Sequence, residues 1–532
     1  MAQKKRTLLK RMTFVSVLLL GVYLIWCTIV WNRKPTISVD YIAIQNEKAL
    51  SVDNEDAALP LYIDAAINFK NDPEPAYDDY DLVLPHWPYQ GGWEMYLEWI
   101  HRNSETFELI REASGKAGLG AIIGAEPTDK DKELFGEDIQ HSLYIDEQGS
   151  RIDQLMEGSL LNVTYPYLGT FRNLARMLVY DARQAAFERD PSRFISDIEA
   201  MAKLARHCKE TPGLLPDLVA MSIAKLSVQV TGEVLALTPE IFDDEYLTRL
   251  ANLYLDSGDL FHVRLETERV VLLDSLQRLY TDDGNGDGSL SVHSLPLLEF
   301  VTSVTEGPSV TVRPILAFLS GPIINWTVAS RKEALAEYDR RMDYYTEQST
   351  LPLYAREFDD QIFQPTEERW WSRSRFIVVD VLAPVFERTI NSESISLALR
   401  DSIVAVIAME LYRRTEGKWP TRLDQAMENP PLDPWSGKPL QIAFEDGRPL
   451  IYSFGVDRND DGGTFYKKMT GGLGRGQTQR SPWTEYLEPE LMFSEHEGYS
   501  AKRSNEKARD WQPADSDDLP DGDWILFPPI VD

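Results

Sequence analysis

Met12 to Trp31 is a run of 20 uncharged, mostly apolar residues, and nothing else in the chain restricts the fold as tightly. Coiled as a helix, such a run matches a bilayer core of about 30 Å. The spacing predicts one membrane-spanning helix, with all later residues on a single side of the membrane. Lys4, Lys5, Arg6, Lys10 and Arg11 precede the run and only Arg33 and Lys34 follow it, a bias that puts the N-terminus in the cytoplasm. A cleaved signal peptide would end in a small-x-small site, whereas Trp26, Cys27, Trp31 and Asn32 occupy that zone, so a retained anchor is expected. Tyr23, Trp26 and Trp31 suit a helix that ends at a membrane interface.

Charge separates the anchor from the rest. All 85 acidic residues follow residue 34, and 7 of the 54 basic ones precede it, which leaves 47 minus 85, or −38, beyond the anchor. Such a surface repels nucleic acid and anionic lipid and attracts divalent cations and basic partners. Cys27 lies in the apolar run and Cys208 stands alone beyond it, which excludes an intrachain disulfide in the ectodomain. Folding must therefore rest on core packing, with metal as an aid. A length of 532 residues exceeds what one core usually organises, so at least two ectodomain units are expected beyond the anchor at 1–34.

Residues 35–165 read as a mixed, partly helical region, with helical patches over Asp56 to Phe69 and Trp93 to Ala113. Pro-rich turns join the two patches, and the signal weakens around 122–153. Residues 166–348 read as an array of helical hairpins: Phe171–Glu188, Ser192–Lys209, Leu214–Leu237, Asp243–Leu255 and Val263–Tyr280. Asp190-Pro191, Thr211-Pro-Gly and Thr238-Pro239 punctuate them. The Ala182 to His207 segment loosely resembles the junction of tetratricopeptide-type repeats, and a non-repeat bundle is the alternative reading. Arg313 to Ala329 is also apolar, but two prolines and Gly321 interrupt it, so packing in a core or hairpin is expected rather than a second membrane pass. Ser330 to Thr346 reads as a charged surface helix, and 349–392 as a linker.

The last unit, 393–532, opens with Ile395, Leu399, Ile403, Val406, Ile407 and Leu411 as an apolar stripe on one helix. Gln441–Phe444 and Leu450–Ser453 follow as strand candidates around a Glu445-Asp-Gly-Arg turn. Three motifs stand here in order: Glu416-Gly-Lys-Trp-Pro420, Leu432-Asp-Pro-Trp-Ser-Gly-Lys-Pro439 and Ile451-Tyr-Ser-Phe-Gly-Val-Asp457. Together they resemble the globular head of type II secretion major pseudopilins, with their G-x-Y-P, D-P-W-G-x-P and Y-S-x-G-x-D-G patterns. The resemblance implies a helix packed by a small antiparallel sheet, and a calcium site in the loop after Y-S-x-G. Asp457 matches the family's first ligand position, and Asp521-Gly-Asp523 looks like its acidic pair, displaced by an insertion at 464–518. The chain is not itself built as a pilin, because no Gly precedes the apolar run and no Glu occupies its fifth position. The fold class expected is thus mainly α: a transmembrane helix, a helical-hairpin array and a small α+β domain with an antiparallel sheet.

Two loops carry calcium-like chemistry in their own residues. Asp457-x-Asn459-x-Asp461-Gly462 alternates short oxygen side chains about a glycine turn, as a hard cation of six to eight ligands requires; a metal-free Asp/Gly hairpin is the alternative. Asp283-Gly-Asn285-Gly-Asp287-Gly-Ser289 fills the first positions of an EF-hand loop over 283–294, with the backbone carbonyl of Ser289 as a ligand. Its twelfth position holds Ser294 instead of Glu, which predicts weak binding or a plain turn.

No catalytic motif stands out. The seven histidines fall in no H-E-x-x-H or H-x-H pattern, and no G-x-S-x-G or phosphate loop is present. The expected function is a membrane-anchored exoplasmic scaffold, periplasmic or extracellular, with a protein partner on the helical array and no nucleic acid. An envelope hydrolase with a dispersed site, or an accessory part of a type II secretion-like system, is the alternative.

Overall fold

The structure, a computed structural model, describes residues 2–69, 93–136, 158–294, 314–357, 375–382, 386–445, 447–455, 458–463 and 523–528. It is mainly helical, with a small three-stranded antiparallel sheet near the C-terminus. Helix α1 (Ala2–Asn32) contains the apolar run. Among the described residues two helices are long and apolar enough to cross a membrane, α1 and α9 (Leu214–Leu237), and their surroundings differ. Only 11% of the apolar window of α1 is buried, against 83% of that of α9.

The first helices of the body are α2 (Tyr41–Leu50), α3 (Leu59–Asn68), α4 (Trp93–Arg102), α5 (Ser104–Ser114) and α6 (Asp129–Phe135). The single helix expected over Trp93 to Ala113 is two. Asn103 leaves helical geometry, and its side-chain amide joins its backbone amide in donating to the Trp99 carbonyl at the end of α4.

The array follows as α7 (Tyr167–Phe187), α8 (Pro191–Glu210), α9, α10 (Asp244–Leu255) and α11 (Leu265–Leu279). Its joints are made by local chemistry. Asp190 caps α8 by accepting from the Arg193 amide, and Pro191 at the first helical position has no amide to lose. Gly213, at φ 127°, makes the turn into α9. Charges on the inner faces are paired across helices: Arg183 of α7 with Glu233 of α9, and Arg264 with Asp217 of α9.

Beyond the array lie α12 (Pro314–Thr327), α13 (Arg331–Thr350), α14 (Ile377–Leu382) and α15 (Glu387–Glu416). The linker expected over 349–392 thus contains α14 and the first turns of α15. One hydrophobic core runs from Ala58 through α7 to α10 and into α15, and takes in Ile451, Leu526 and Phe527 of the sheet. A second gathers α11, α13 and α14 with Phe386 and Ile390.

In the sheet, β1 (Gln441–Glu445) pairs with β2 (Arg448–Ser453), which pairs with β3 (Trp524–Phe527). Strand alternation gives β2 two jobs. Ile451 faces the core shared with α15, while Leu450 and Tyr452 pack with Phe454 and Ile525 on the other face. The strand expected at the far side of the 464–518 insertion therefore joins the same sheet, as the antiparallel neighbour of β2. The insertion itself lies outside the described residues.

Candidate functional site

The corner that precedes the sheet is organised by one buried carboxylate. Asp433 accepts from the Trp435 amide at 3.1 Å, the Ser436 hydroxyl at 2.5 Å, the Ser453 hydroxyl at 2.5 Å and the Phe454 amide at 3.3 Å. Its own amide and carbonyl bond to Lys438 and Gly437. The Asp-Pro-Trp-Ser-Gly corner is thereby clamped onto the end of β2. Gly437, at φ 72°, lets the Tyr354 ring approach to 2.8 Å of where a Cβ would stand, so any side chain here would have to displace it. Trp435 meets Trp524 of β3 edge-on at 5.5 Å.

That clamp fixes the start of the 458–463 loop relative to β3, and there the acidic residues converge. Asp523, only 1% exposed, accepts from the amides of Asp461 at 3.1 Å and Gly463 at 2.7 Å through one oxygen. Its other oxygen is buried with no hydrogen-bond partner. Asp460 accepts from the Tyr452 hydroxyl at 3.0 Å and the Gly462 amide at 3.1 Å, and Asn459 donates to Asp461. Burial pushes the Asp523 carboxyl up to about 6; the two backbone amides pull it down, and repulsion from Asp460 and Asp461 adds to the rise. Tyr452 is raised by burial and by the same negative field. Among the described residues no ion pair reaches Asp523, so this carboxylate together with Asp460 and Asp461 is a local surplus of negative charge.

Of the residues singled out in the sequence for this site, Asn459, Asp461 and Asp523 are brought together, while Asp457 and Asp521 lie outside the described residues. Asp460 was missed. Reading alternate positions 457, 459 and 461 skips it, yet Gly462 and Gly463, both at positive φ, turn the loop so that Asp460 reaches Tyr452. The signal that could have found it is the Gly-Gly pair, which breaks the alternation.

The second loop is organised differently. Asp283 accepts from the amides of Asn285 and Asp287, and Asp287 accepts from Gly288 and from Lys332 at the start of α13. Asp283 is held below the usual carboxylate range by those amide donors. For Asp287, burial works the other way, but the Lys332 and Gly288 amides outweigh it and its pKa is lowered too. The Ser289 carbonyl accepts from the Thr281 amide and hydroxyl, and the Ser294 hydroxyl donates to the Leu279 carbonyl. One oxygen each of Asp283 and Asp287, and the Ser289 carbonyl, are thus engaged in closing the loop and in seating it on α13. Among the described residues, no group of three or more His, Cys, Asp or Glu side chains is arranged to hold a metal ion.

A dispersed catalytic site would need perturbed groups in a cavity. Asp181 and Asp197 are both buried, and Asp197 is driven up by burial and by Asp181, but Arg111 binds both carboxylates and Arg193 binds Asp181. The open groove between α8 and α10 is lined by other residues, among them Glu199, Glu245, Arg249 and Asp256, with Glu199 paired to Arg249. Comparison with known protein families, with curated proteins and with solved structures finds no match to this chain.

Proposed function

We propose that this chain is a membrane-anchored scaffold. Helix α1 crosses the bilayer once with its N-terminus in the cytoplasm, and the acidic helical body stands on the exoplasmic side to hold a protein partner with a basic surface. The observation that carries the reading is the contrast between the exposed, uncharged run Met12 to Trp31 of α1 and a body whose array and sheet share one core. A rigid body on one membrane helix suits positioning another molecule. Fusion of alkaline phosphatase and of green fluorescent protein to the C-terminus tests the topology: active phosphatase with dark fluorescent protein is expected, and the reverse pattern overturns it.

The C-terminal unit is read as a pseudopilin-like head that takes calcium. The reading is supported by Asp523, which has a buried oxygen with no hydrogen-bond partner and feels the negative charge of Asp460 and Asp461, an environment of hard oxygens of the kind calcium takes. Asp457 and Asp521 flank the same two stretches of chain and would complete the shell. Calcium bound to the native state alone would raise the unfolding temperature. Titration calorimetry and thermal unfolding in calcium and in chelator test this. Asp523→Asn with Asp461→Asn removes the head's share, and Asp283→Ala with Asp287→Ala removes any share of the 283–294 loop. Identical unfolding in calcium and chelator would leave both loops as turns.

A further inference from the structure

Helix α12 is the apolar segment that the sequence places in a core, and the structure gives it only half of one. Its inner side lies on α1. The Tyr23 hydroxyl and the Cys27 thiol both donate to the Leu319 carbonyl, and Phe318 meets the Trp31 ring edge-on at 5.8 Å. A Cβ on Gly321 would fall 2.8 Å from a methyl of Val292 and 3.0 Å from a methyl of Val30, so a glycine lets α12 seat closely on the side chains of α1 and of the turn at 292. The outer side is bare: Ile315 is 72% exposed, Leu319 38%, Ile323 53% and Trp326 80%. Their spacing of four, four and three residues puts them on one helix face. No charged residue occurs between Pro314 and Thr327, in a chain with 26% charged residues.

From this we infer that α12 is a second membrane-embedded helix, one that does not span, lying in lipid beside the last turns of α1. Rising about 1.5 Å per residue, its 14 residues reach roughly 21 Å, short of a bilayer core of about 30 Å. Lipid is the occupant because the bare face adjoins the exposed apolar surface of α1, where Leu24, Ile25 and Ile29 are also uncovered. Pro322 inside the helix fits the same setting. It removes the donor that the Phe318 carbonyl would otherwise have, a break that membrane helices tolerate when neighbours supply polar contacts, and Tyr23 of α1 donates to the adjacent Leu319 carbonyl. The inference rests on α1 being a membrane anchor. It adds that the body is held against the membrane surface at a second point and cannot swing freely on the chain that follows α1.

The test uses the full chain in phosphatidylcholine vesicles, with a single cysteine introduced at Ile315, Ile323 or Trp326 and labelled with an environment-sensitive fluorophore. Cys27 and Cys208 are buried, so the parent chain serves as the blank. Leu18→Cys on α1 is the lipid control, and Leu255→Cys, an exposed leucine of α10, is the water control. Labels on α12 should show several-fold weaker quenching by iodide than the label at 255, and quenching by doxyl lipid comparable to that at 18. Iodide quenching equal to that at 255, with 18 still protected, overturns the inference while the anchor stands. Loss of protection at 18 as well overturns the anchor reading, and this inference with it. Protection from iodide without quenching by doxyl lipid, accompanied by energy transfer between labelled copies, assigns the face to a second copy of the chain and also overturns it.

Discussion

Helices α1 and α9 pass the same test of length and apolarity, yet one is bare and the other is the centre of the array. The difference lies in their polar residues. The apolar run of α1 carries no charge between Met12 and Trp31, whereas α9 carries Asp217, Lys225 and Glu233. In lipid each of those would need a partner. In the array Glu233 has Arg183 from α7 and Asp217 has Arg264 ahead of α11, with two or more contacts in each pair. Hydropathy averaged over a window hides this, while the positions of single charges reveal it. A helix that buries charges at intervals along its length needs protein on all sides.

The sharpest way to break that comparison is to remove one partner from α9. Glu233→Ala leaves the Arg183 guanidinium buried without its carboxylate, over the Tyr180 ring, and removing one partner of a buried pair should cost about 3–5 kcal/mol. Denaturant unfolding of the full chain in detergent reads it, and a loss below about 1 kcal/mol, the scale of an exposed pair, would mean that the pair is solvated. The converse change puts a charge into α1. Leu19→Asp should cost about 3 kcal/mol of membrane insertion and move the chain toward the alkali-extractable fraction, while the unfolding of the helical body stays unchanged. If the body unfolds more easily instead, α1 is packed as α9 is.

The array was legible because its joints are local. Asp190-Pro191 and Thr238-Pro239 stop and start helices through backbone chemistry that the sequence states outright. The break at Asn103 was not legible, because an asparagine between two apolar stripes differs from a surface asparagine only in what its amide finds, here the Trp99 carbonyl. The sheet strands were legible from alternation and from the family-like motifs. Their packing against the helix that became α15 was expected from the resemblance, but the merging of that unit with the array core was not, since Ile451 shares that core with array residues far away in the sequence. In the site, Asn459, Asp461 and Asp523 could be named from spacing. Asp433 could not be recognised as the clamp, because a D-P-W-S-G corner does not announce that Ser453 and Phe454 will donate to it.

Buried carboxylates supply the next test, because Glu233 is paired with Arg183 whereas no ion pair among the described residues reaches Asp523. With its carboxyl pushed up to about 6, folded Asp523 keeps a proton that the unfolded chain loses near pH 4. The folded state therefore binds more protons across that window, so the stability of the C-terminal unit should fall as pH rises from about 4 to 6 and level off above. The drop is at most about 3 kcal/mol. Unfolding in chelator, followed by the fluorescence of Trp435 and Trp524, measures it. Asp523→Asn should flatten the pH profile and keep the amide contacts from Asp461 and Gly463 through its own carbonyl oxygen. A profile that rises with pH would mean that the carboxylate is compensated by a cation.

The smallest expected effect compares one substitution in the two settings. Tyr254→Phe removes a hydroxyl that bonds Thr231 at 2.7 Å and the Ser227 carbonyl at 2.8 Å, both on α9 and both shut away from water. Tyr23→Phe removes the hydroxyl that α1 donates to Leu319 of α12. In the protein core, the Thr231 hydroxyl is left without its partner and no water can replace it, so about 1–2 kcal/mol should be lost. Within a membrane the separated helices find other partners for their polar groups, and such bonds average about 0.6 kcal/mol. Both variants are measured by chemical unfolding of the full chain in lipid nanodiscs, with a fluorophore on Trp326→Cys to report α12 separately from the array. Equal losses for the two would place the α1–α12 contact in surroundings as closed as those of α9, and would remove the distinction between the bare helix and the buried one at this point of the fold.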